Sequence, residues 1–173
     1  MSRFTKEFYT RDVLLVAPNL LGQYLVRRFS DGTVQQYIVT EVEAYSGRGD
    51  LACHASKGKT ERTSIMFSEG GCAYIYLIYG KHWMLNVVTG SFDNPQAVLV
   101  RGLKDCYGPG RLTRMLKIDK DYYGEDFTTS QRLWFEPSNI RPQIHTGPRI
   151  GVDYAGEYWS SIPWRYWIDS DTI

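Results

Sequence analysis

Hydrophobic and polar residues alternate along several stretches of the chain, which is typical of β-strands that bury one face. The longest alternation covers residues 34–45, and an Asp31-Gly32 pair shortly before it is typical of a hairpin turn. Shorter apolar stretches of similar character follow at intervals. The predicted strands cover residues 23–29, 34–45, 73–79, 83–88, 97–101, 131–136 and 164–168.

Two stretches have the character of short helices. Residues 13–21 are apolar, with Thr10 as the predicted N-cap and Pro18 where the helix breaks or kinks. A second helix is predicted over residues 111–117, because Pro109 between two glycines is typical of a helix start. No repeat, low-complexity segment or linker interrupts these elements, so we predict one domain over residues 1–173.

Composition narrows the class of protein. The 43% of hydrophobic residues can fill a core, and no apolar run is long enough to span a membrane. The N-terminus has no apolar signal region, and the three scattered cysteines, Cys53, Cys72 and Cys106, form no C-x-x-C motif. We therefore expect a cytoplasmic protein.

The net charge of +1 excludes a surface that is basic all round, so any contact with nucleic acid requires a local basic face. Two groups of cations could form one, although both could also be ordinary solvated surface. These groups are Lys57, Lys59 and Arg62, and Lys104, Arg111, Arg114, Lys117 and Lys120.

Candidate chemistry lies at the end of the strand predicted over residues 34–45. Strict alternation places Val39, Glu41, Glu43 and Tyr45 on one face. Glu41 and Glu43 would then lie roughly 7 Å apart, a separation that resembles the carboxylate pair of inverting glycosidases. Two solvent-facing glutamates on an edge strand are the alternative.

Aromatic side chains follow in the strand predicted over residues 73–79. Tyr74 and Tyr76 share a face, and Tyr79-Gly80 predicts a turn that projects the Tyr79 ring outward, although all three could be core aromatics. His54 alone indicates a structural hydrogen bond as readily as catalysis. Metal-binding, P-loop and dinucleotide-binding motifs are absent. A carboxylate beside aromatic faces suggests an enzyme that holds a base and hydrolyses the bond to it.

Together, these residues and motifs resemble those of the alkyladenine (3-methyladenine, or methylpurine) DNA glycosylase family. The resemblance runs in order from about residue 20 to residue 166. It is carried by residues 21–28, 41–45, 52–54, 66–67, 74–80, 86, 99–101, 108–109, 149–152 and 155–157. It implies an α+β fold: a single compact domain with a curved antiparallel sheet flanked by short helices, without metal or cofactor.

The resemblance also implies roles for individual residues. Glu43 corresponds to the general base that activates water, and Arg101 to the arginine that helps hold the water and the carboxylate. Three residues, Tyr45, His54 and Tyr76, correspond to walls of the base pocket.

Two further positions concern the choice of base and the duplex. Asn86 corresponds to the residue that crowds the 2-amino group of guanine, and Tyr79 to the residue that enters the duplex where the base has left. Lys81-His82 stands where an apolar or aromatic pair is expected, which changes how the gap is filled. Further contacts with DNA are expected from Lys59, Arg62, Lys81 and Arg111.

The implied function is a monofunctional DNA glycosylase of base excision repair, acting on double-stranded DNA that contains damaged purines. Expected lesions are 3-methyladenine, 7-methylguanine, hypoxanthine and ethenoadenine, each flipped out and excised to leave an abasic site. We expect a monomer at the bacterial nucleoid, without an obligate protein partner. Two alternatives remain at this point: a damage-binding module without turnover, and a hydrolase of small glycosides or nucleosides.

Overall fold

The computed structural model describes residues 2–173. Met1, the first residue of the predicted domain, lies outside them. The described chain contains nine strands and four α-helices. The strands are β1 (Tyr24–Arg28), β2 (Val34–Tyr45), β3 (Ala73–Ile78), β4 (His82–Thr89), β5 (Gln96–Leu103), β6 (Cys106–Tyr107), β7 (Leu133–Glu136), β8 (His145–Gly147) and β9 (Arg165–Trp167). The helices are α1 (Lys6–Tyr9), α2 (Val13–Leu20), α3 (Pro109–Leu116) and α4 (Glu157–Ser161).

All paired strands are antiparallel and form one sheet in the order β3-β4-β5-β2-β1-β7. The short strand β6 pairs with β5, and the β8–β9 pair joins the sheet through β2. The sheet does not close into a barrel. The compact α+β fold with an antiparallel sheet and short helices is therefore confirmed.

Strand β2 is the longest element and changes partners along its length. Its first part pairs with β1, whereas Glu41 and Glu43 lie between β5 and β9. The β2–β5 register shifts on both sides of Glu41, as in a β-bulge. The predicted alternation is therefore wrong for Val39: it is fully buried in the same core as Val42 and Ala44, not on the face of Glu43.

The bulge requires a glycine on the neighbouring strand. A Cβ at Gly102 would lie 2.9 Å from Thr40 Oγ1 and 3.2 Å from Glu41 Cβ, closer than side chains normally pack. Because Gly102 follows Arg101 directly, this close approach of β5 to β2 also places Arg101 beside the two glutamates.

Helix α2 packs against the sheet and illustrates how the core is filled. Val13, Val16, Ala17 and Leu20 are fully buried, which is the apolar face that the sequence predicts. The N-cap is Asp12, whose carboxylate accepts from the Leu14 N–H. Thr10 was therefore predicted wrongly as the cap.

The remaining differences concern the ends of elements and short elements. Helix α3 begins at Pro109 and ends at Leu116, earlier than predicted, and the strand predicted from residue 131 begins only at Leu133. Helices α1 and α4 and strands β6 and β8 were not predicted, because elements of two to five residues carry too little periodicity. Within residues 2–173, no helix has the length and apolar character needed to cross a membrane.

Candidate functional site

A cleft of about 350 Å³ opens beside the carboxyl-terminal end of β2. Side chains from β2, β3, β4 and β5 form its floor and walls, and residues 52–54 and 150–154 close it from two loops. The volume lies within the range that holds small molecules in proteins. Seven of the predicted site residues line this cleft. They are Glu43, Tyr45, His54, Tyr76, Tyr79, Asn86 and Arg101.

Glu43 is the buried carboxylate of the cleft, with no exposure of its side chain to solvent. Its Oε1 accepts a hydrogen bond from the Tyr45 hydroxyl at 2.8 Å, and its Oε2 accepts from the Ile150 N–H at 2.6 Å. Arg101 Nη1 lies 3.8 Å from Oε1. The two oxygens are thus held by separate donors, and each retains a lone pair that a water molecule could use.

The environment raises the pKa of Glu43 above its ordinary value. Burial, which penalises the charged form, is the largest cause; Arg101, the Ile150 N–H, the Tyr45 hydroxyl and Arg149 act in the opposite direction. A carboxylate of raised pKa is a stronger base than an exposed one, and the surrounding donors keep the ionised form accessible.

Arg101 connects the two glutamates of β2. Its Nε lies 3.2 Å from Glu41 Oε1, and Arg165 Nη1 approaches the same oxygen at 3.4 Å. Glu41 is not among the residues that line the cleft. The pair Glu41 and Glu43 therefore does not flank one ligand position in the way that the glycosidase interpretation requires.

Aromatic rings from β3 and from the residue 54 segment form another part of the cleft wall. The rings of His54 and Tyr76 meet edge to face with centroids 4.6 Å apart, and His54 Nδ1 lies 2.8 Å from the Tyr74 hydroxyl. Burial, and after it the positive charges of Arg62 and Lys57, lowers the pKa of His54 to about 4. His54 is therefore uncharged at neutral pH and adds no positive charge to the cleft.

Asn86 lies on β4, directly opposite Tyr74 of β3, and is almost fully buried. Its Nδ2 donates to the Tyr74 carbonyl at 3.2 Å, which fixes the orientation of the amide. Asn86 is thus a rigid part of the cleft wall.

Tyr79 lies in the β3–β4 turn at the rim of the cleft. Its side chain is 87% exposed, and its backbone has a φ of 51°, a left-handed conformation that is uncommon for an aromatic residue. The prediction that this turn projects the ring outward is confirmed. A strained, exposed aromatic residue at the mouth of a cleft suggests a functional contact.

The predicted phosphate contacts differ in their relation to the cleft. Lys81 is exposed in the Tyr79 turn, and Arg111 is exposed in the first turn of α3, whose Pro109 lines the cleft. Arg62 is close enough to influence the pKa of His54. Lys59 is exposed, with its Nζ 5.9 Å from the centre of the Phe67 ring.

Three features of the site were not predicted from the sequence. Ile150 supplies a backbone donor to Glu43, and Arg149 forms a fully buried ion pair with Asp50 at 2.6 Å. Tyr154 lines the cleft as well, and its hydroxyl donates to the Ala52 carbonyl at 2.7 Å. A backbone donor and partners 99 residues apart leave no local pattern that could have predicted them.

Metal-ligating side chains do not gather at this site. In residues 2–173, no group of three or more His, Cys, Asp or Glu side chains is arranged to hold a metal ion. Cys53 lines the cleft but is buried, and burial raises the pKa of its thiol to about 11. Glu43 is the carboxylate among the residues that line the cleft.

The chain is similar in sequence to one family of known proteins. The sequence profile of the family described as "Methylpurine-DNA glycosylase (MPG)" matches residues 7–107 and 103–172. Proteins named "Putative 3-methyladenine DNA glycosylase" are similar over nearly their whole length. The one from Psychrobacter cryohalolentis is 36% identical (96% of this chain, 92% of that protein). Those from Wolbachia pipientis wMel and Bacillus subtilis are 42% identical (93% and 88%) and 40% identical (93% and 90%).

These matches cover far more than the cleft residues, so they assign the whole fold and not a local motif. They favour a DNA glycosylase over a small-glycoside hydrolase or a binding module without turnover. The chain belongs to the methylpurine-DNA glycosylase family, and it is a DNA N-glycosylase.

Proposed function

We propose that this enzyme takes alkylated or deaminated purines out of duplex DNA into the cleft and hydrolyses their N-glycosidic bond, leaving an abasic site for base excision repair. The observation that carries the proposal is the placement of Glu43. It is a buried carboxylate with a raised pKa, held by Tyr45 and Ile150 in the wall of an aromatic cleft.

In the proposed reaction, a water molecule held by Glu43 attacks C1′ of the deoxyribose. The N9–C1′ bond breaks, and its electron pair leaves with the purine. Glu43 takes a proton from the water, and its negative charge stabilises the positive charge that develops on the sugar. Arg101, 3.8 Å from the carboxylate, orients it and favours its ionised form.

Recognition of alkylated purines follows from the charge of the cleft. Alkylation at N3 or N7 makes the purine cationic, and a cation gains about 0.5–2 kcal/mol against an aromatic face compared with a neutral ring. Tyr45 and Tyr76 supply such faces, and the neutral His54 does not repel the cation. Since this is a modest preference, the better leaving-group character of the alkylated base supplies further selectivity.

Access to the base requires that its nucleotide leave the duplex, which costs a few kcal/mol. We propose that Tyr79 fills the gap, and its exposure in a turn at the rim of the cleft supports this role. We propose that four exposed residues contact the phosphates: Lys59, Arg62, Lys81 and Arg111. This local basic face would bind DNA despite the net charge of +1.

Hydrolysis without strand cleavage is proposed because no lysine is among the cleft-lining residues of the described chain. Strand cleavage through a Schiff base requires such an amine. Asn86, fixed by its bond to the Tyr74 carbonyl, is proposed to exclude normal guanine by crowding its 2-amino group.

The test uses duplex oligonucleotides that each carry one hypoxanthine, ethenoadenine or 7-methylguanine, with an undamaged duplex as control. We expect free base by mass spectrometry from at least one lesion duplex, none from the control, and no protein–DNA adduct after borohydride treatment. The proposal would be contradicted if none of the three bases were released, or if a protein–DNA adduct were trapped.

A further inference from the structure

Asp50 and Arg149 form an ion pair that lies behind the cleft and outside the proposed reaction. Both side chains are fully buried, and two guanidinium nitrogens bond the two carboxylate oxygens, at 2.6 and 3.0 Å. Burying a charged pair removes it from water, and such pairs are weak contributors to stability. Arg149 Nε is also buried without a partner, so the pair is not arranged to maximise hydrogen bonding.

The contacts of this pair reach three segments that form the site. Arg149 Nη1 donates to the Ala44 carbonyl at 3.0 Å, between Glu43 and Tyr45 on β2. Asp50 accepts from the backbone N–H groups of Ser46 and Ala52, at the start of the loop that leads to His54. The pair therefore ties β2 to one wall of the cleft.

The third segment contains Arg149 itself. The residue that follows it, Ile150, donates its N–H to Glu43 Oε2 at 2.6 Å. Arg149 Nη2 also donates to the Trp159 carbonyl at 3.2 Å, which anchors this segment on its other side. The guanidinium carbon lies 4.8 Å from the centre of the Tyr45 ring, so Arg149 supports the ring whose hydroxyl bonds Glu43 Oε1.

From this geometry we infer that Asp50 and Arg149 are positioning residues for the reaction: the pair holds the Ile150 N–H and the Tyr45 hydroxyl on the two oxygens of Glu43. The inference rests on the proposed function of Glu43 as the base. In this role Asp50 and Arg149 orient the Glu43 carboxylate and do not contact the substrate.

The variant that tests this is Arg149→Lys. Lysine keeps the positive charge and can pair with Asp50, but one ammonium cannot reach both carboxylate oxygens, the Ala44 carbonyl and the Trp159 carbonyl together. Arg132→Lys is the matched control, because Arg132 also pairs with an acidic residue, Glu125, at 2.6 Å, and neither residue lines the cleft.

Three quantities are measured: the single-turnover rate of base release, the affinity for the lesion duplex, and amide hydrogen exchange at Ile150. We expect Arg149→Lys to lower the rate about tenfold or more, since small misplacements of catalytic groups are costly. Affinity should change less than about threefold, because the pair does not contact substrate. Protection of the Ile150 amide should fall, while that of Leu99 in β5 stays as in the wild type. Arg132→Lys should match the wild type in all three.

An unchanged rate, a loss of rate with Ile150 still protected, or a parallel loss of rate and affinity would each overturn the inference. If Arg149→Lys does not fold, Asp50→Asn is judged by the same three quantities.

Glu43→Gln separates this inference from the proposal on which it rests. If Glu43→Gln still releases base, the role of Glu43 itself is wrong. If Glu43→Gln is inactive and Arg149→Lys is normal, only the positioning role is wrong.

Discussion

At the scale of single residues, the carboxyl group of Glu43 is subject to opposing influences. Burial raises its pKa, whereas Arg101, the Ile150 N–H and the Tyr45 hydroxyl lower it. A general base must be ionised to accept a proton, so the rate of base release should fall as the pH drops through the pKa of Glu43. Because that pKa is raised, the fall should occur at a higher pH than for an exposed glutamate.

The fall of the rate at low pH is the acidic limb of the pH profile. In Arg101→Met this acidic limb should lie at still higher pH. Removing the positive charge removes an influence that lowers the pKa of Glu43, so less of the carboxylate is ionised at any given pH. Arg101→Lys keeps a positive charge and should move the limb less. The measurement is the single-turnover rate against pH for the three proteins. A limb that moves to lower pH in Arg101→Met would contradict this account of the charge.

Tyr79 combines strain with exposure. Its left-handed backbone, with a φ of 51°, costs an aromatic residue about 1–2 kcal/mol, and glycine adopts it freely. Tyr79→Gly should therefore raise the free energy of unfolding by about 1 kcal/mol. It should also lower excision by about tenfold or more, since nothing then offsets unstacking. Urea denaturation and single-turnover excision measure the two effects.

Tyr79→Phe is the control, because it keeps both the ring and the strain. It should resemble the wild type in both measurements. Full excision by Tyr79→Gly would show that the ring does not fill the gap in the duplex.

At the scale of elements, the bulge in β2 determines which side chains reach the cleft. The register shifts at Glu41 turn Val39 into the main core and leave Glu43 on the cleft side. Gly102 on β5 permits this arrangement because the two strands approach closely at Thr40. The position of Arg101 thus depends on a residue without a side chain.

Gly102→Ala should destabilise the protein by about 1–3 kcal/mol, because its Cβ would lie 2.9 Å from Thr40 Oγ1. It should also reduce base release, because β5 would move away from β2 and carry Arg101 with it. Thermal unfolding and the single-turnover rate measure these effects. Gly49→Ala is the control, since a Cβ there meets nothing within 4 Å. Thr40→Ala in the Gly102→Ala background should restore part of the stability, and its failure to do so would contradict the steric explanation.

Elements with a clear pattern could be predicted from the sequence, and those that depend on distant contacts could not. The alternation of residues 34–45 predicted the exact bounds of β2, yet the same pattern placed Val39 on the wrong face, because a bulge leaves no mark in a period of two. The sequence predicts Thr10 as the N-cap of α2, but Asp12 caps the helix, and both residue types are favourable caps. The link between Gln96 and Asp12, 84 residues apart, is visible only in the fold.

Some residues of the candidate site could likewise be predicted from the sequence, and others could not. Glu43, Tyr45, Tyr76 and Asn86 were predicted, through strand patterns and the family resemblance, and they line one cleft. Ile150 could not be predicted as a donor, because its contribution is a backbone N–H, which every residue except proline carries.

At the scale of the whole molecule, burial of the ionised Glu43 carboxylate lowers the stability of the folded protein. The folded state raises the pKa of Glu43, so the folded protein binds a proton there more tightly than the unfolded chain does. Protonation of Glu43 therefore stabilises the folded protein. This contribution is fully present below the ordinary carboxyl pKa of about 4.5, and it is lost as the pH rises through the pKa of Glu43 in the folded state.

Glu43→Gln should therefore be more stable than the wild type at pH 8, by about 1 kcal/mol, which corresponds to about 2–4 °C for a domain of this size. Glutamine cannot ionise, so the difference should shrink as the pH falls towards 4.5. Thermal unfolding across this pH range measures it. A variant that is less stable than the wild type at pH 8 would contradict the view that the ionised carboxylate is costly to bury.

The central claim is that Glu43 activates the water that releases a damaged purine. Its most direct test compares wild type and Glu43→Gln on one duplex that contains hypoxanthine or ethenoadenine, with base release and duplex affinity measured on the same preparations. We predict that the variant binds the lesion duplex about as tightly as the wild type and releases no detectable base. Release at a rate near that of the wild type would contradict the assignment of Glu43 as the catalytic base.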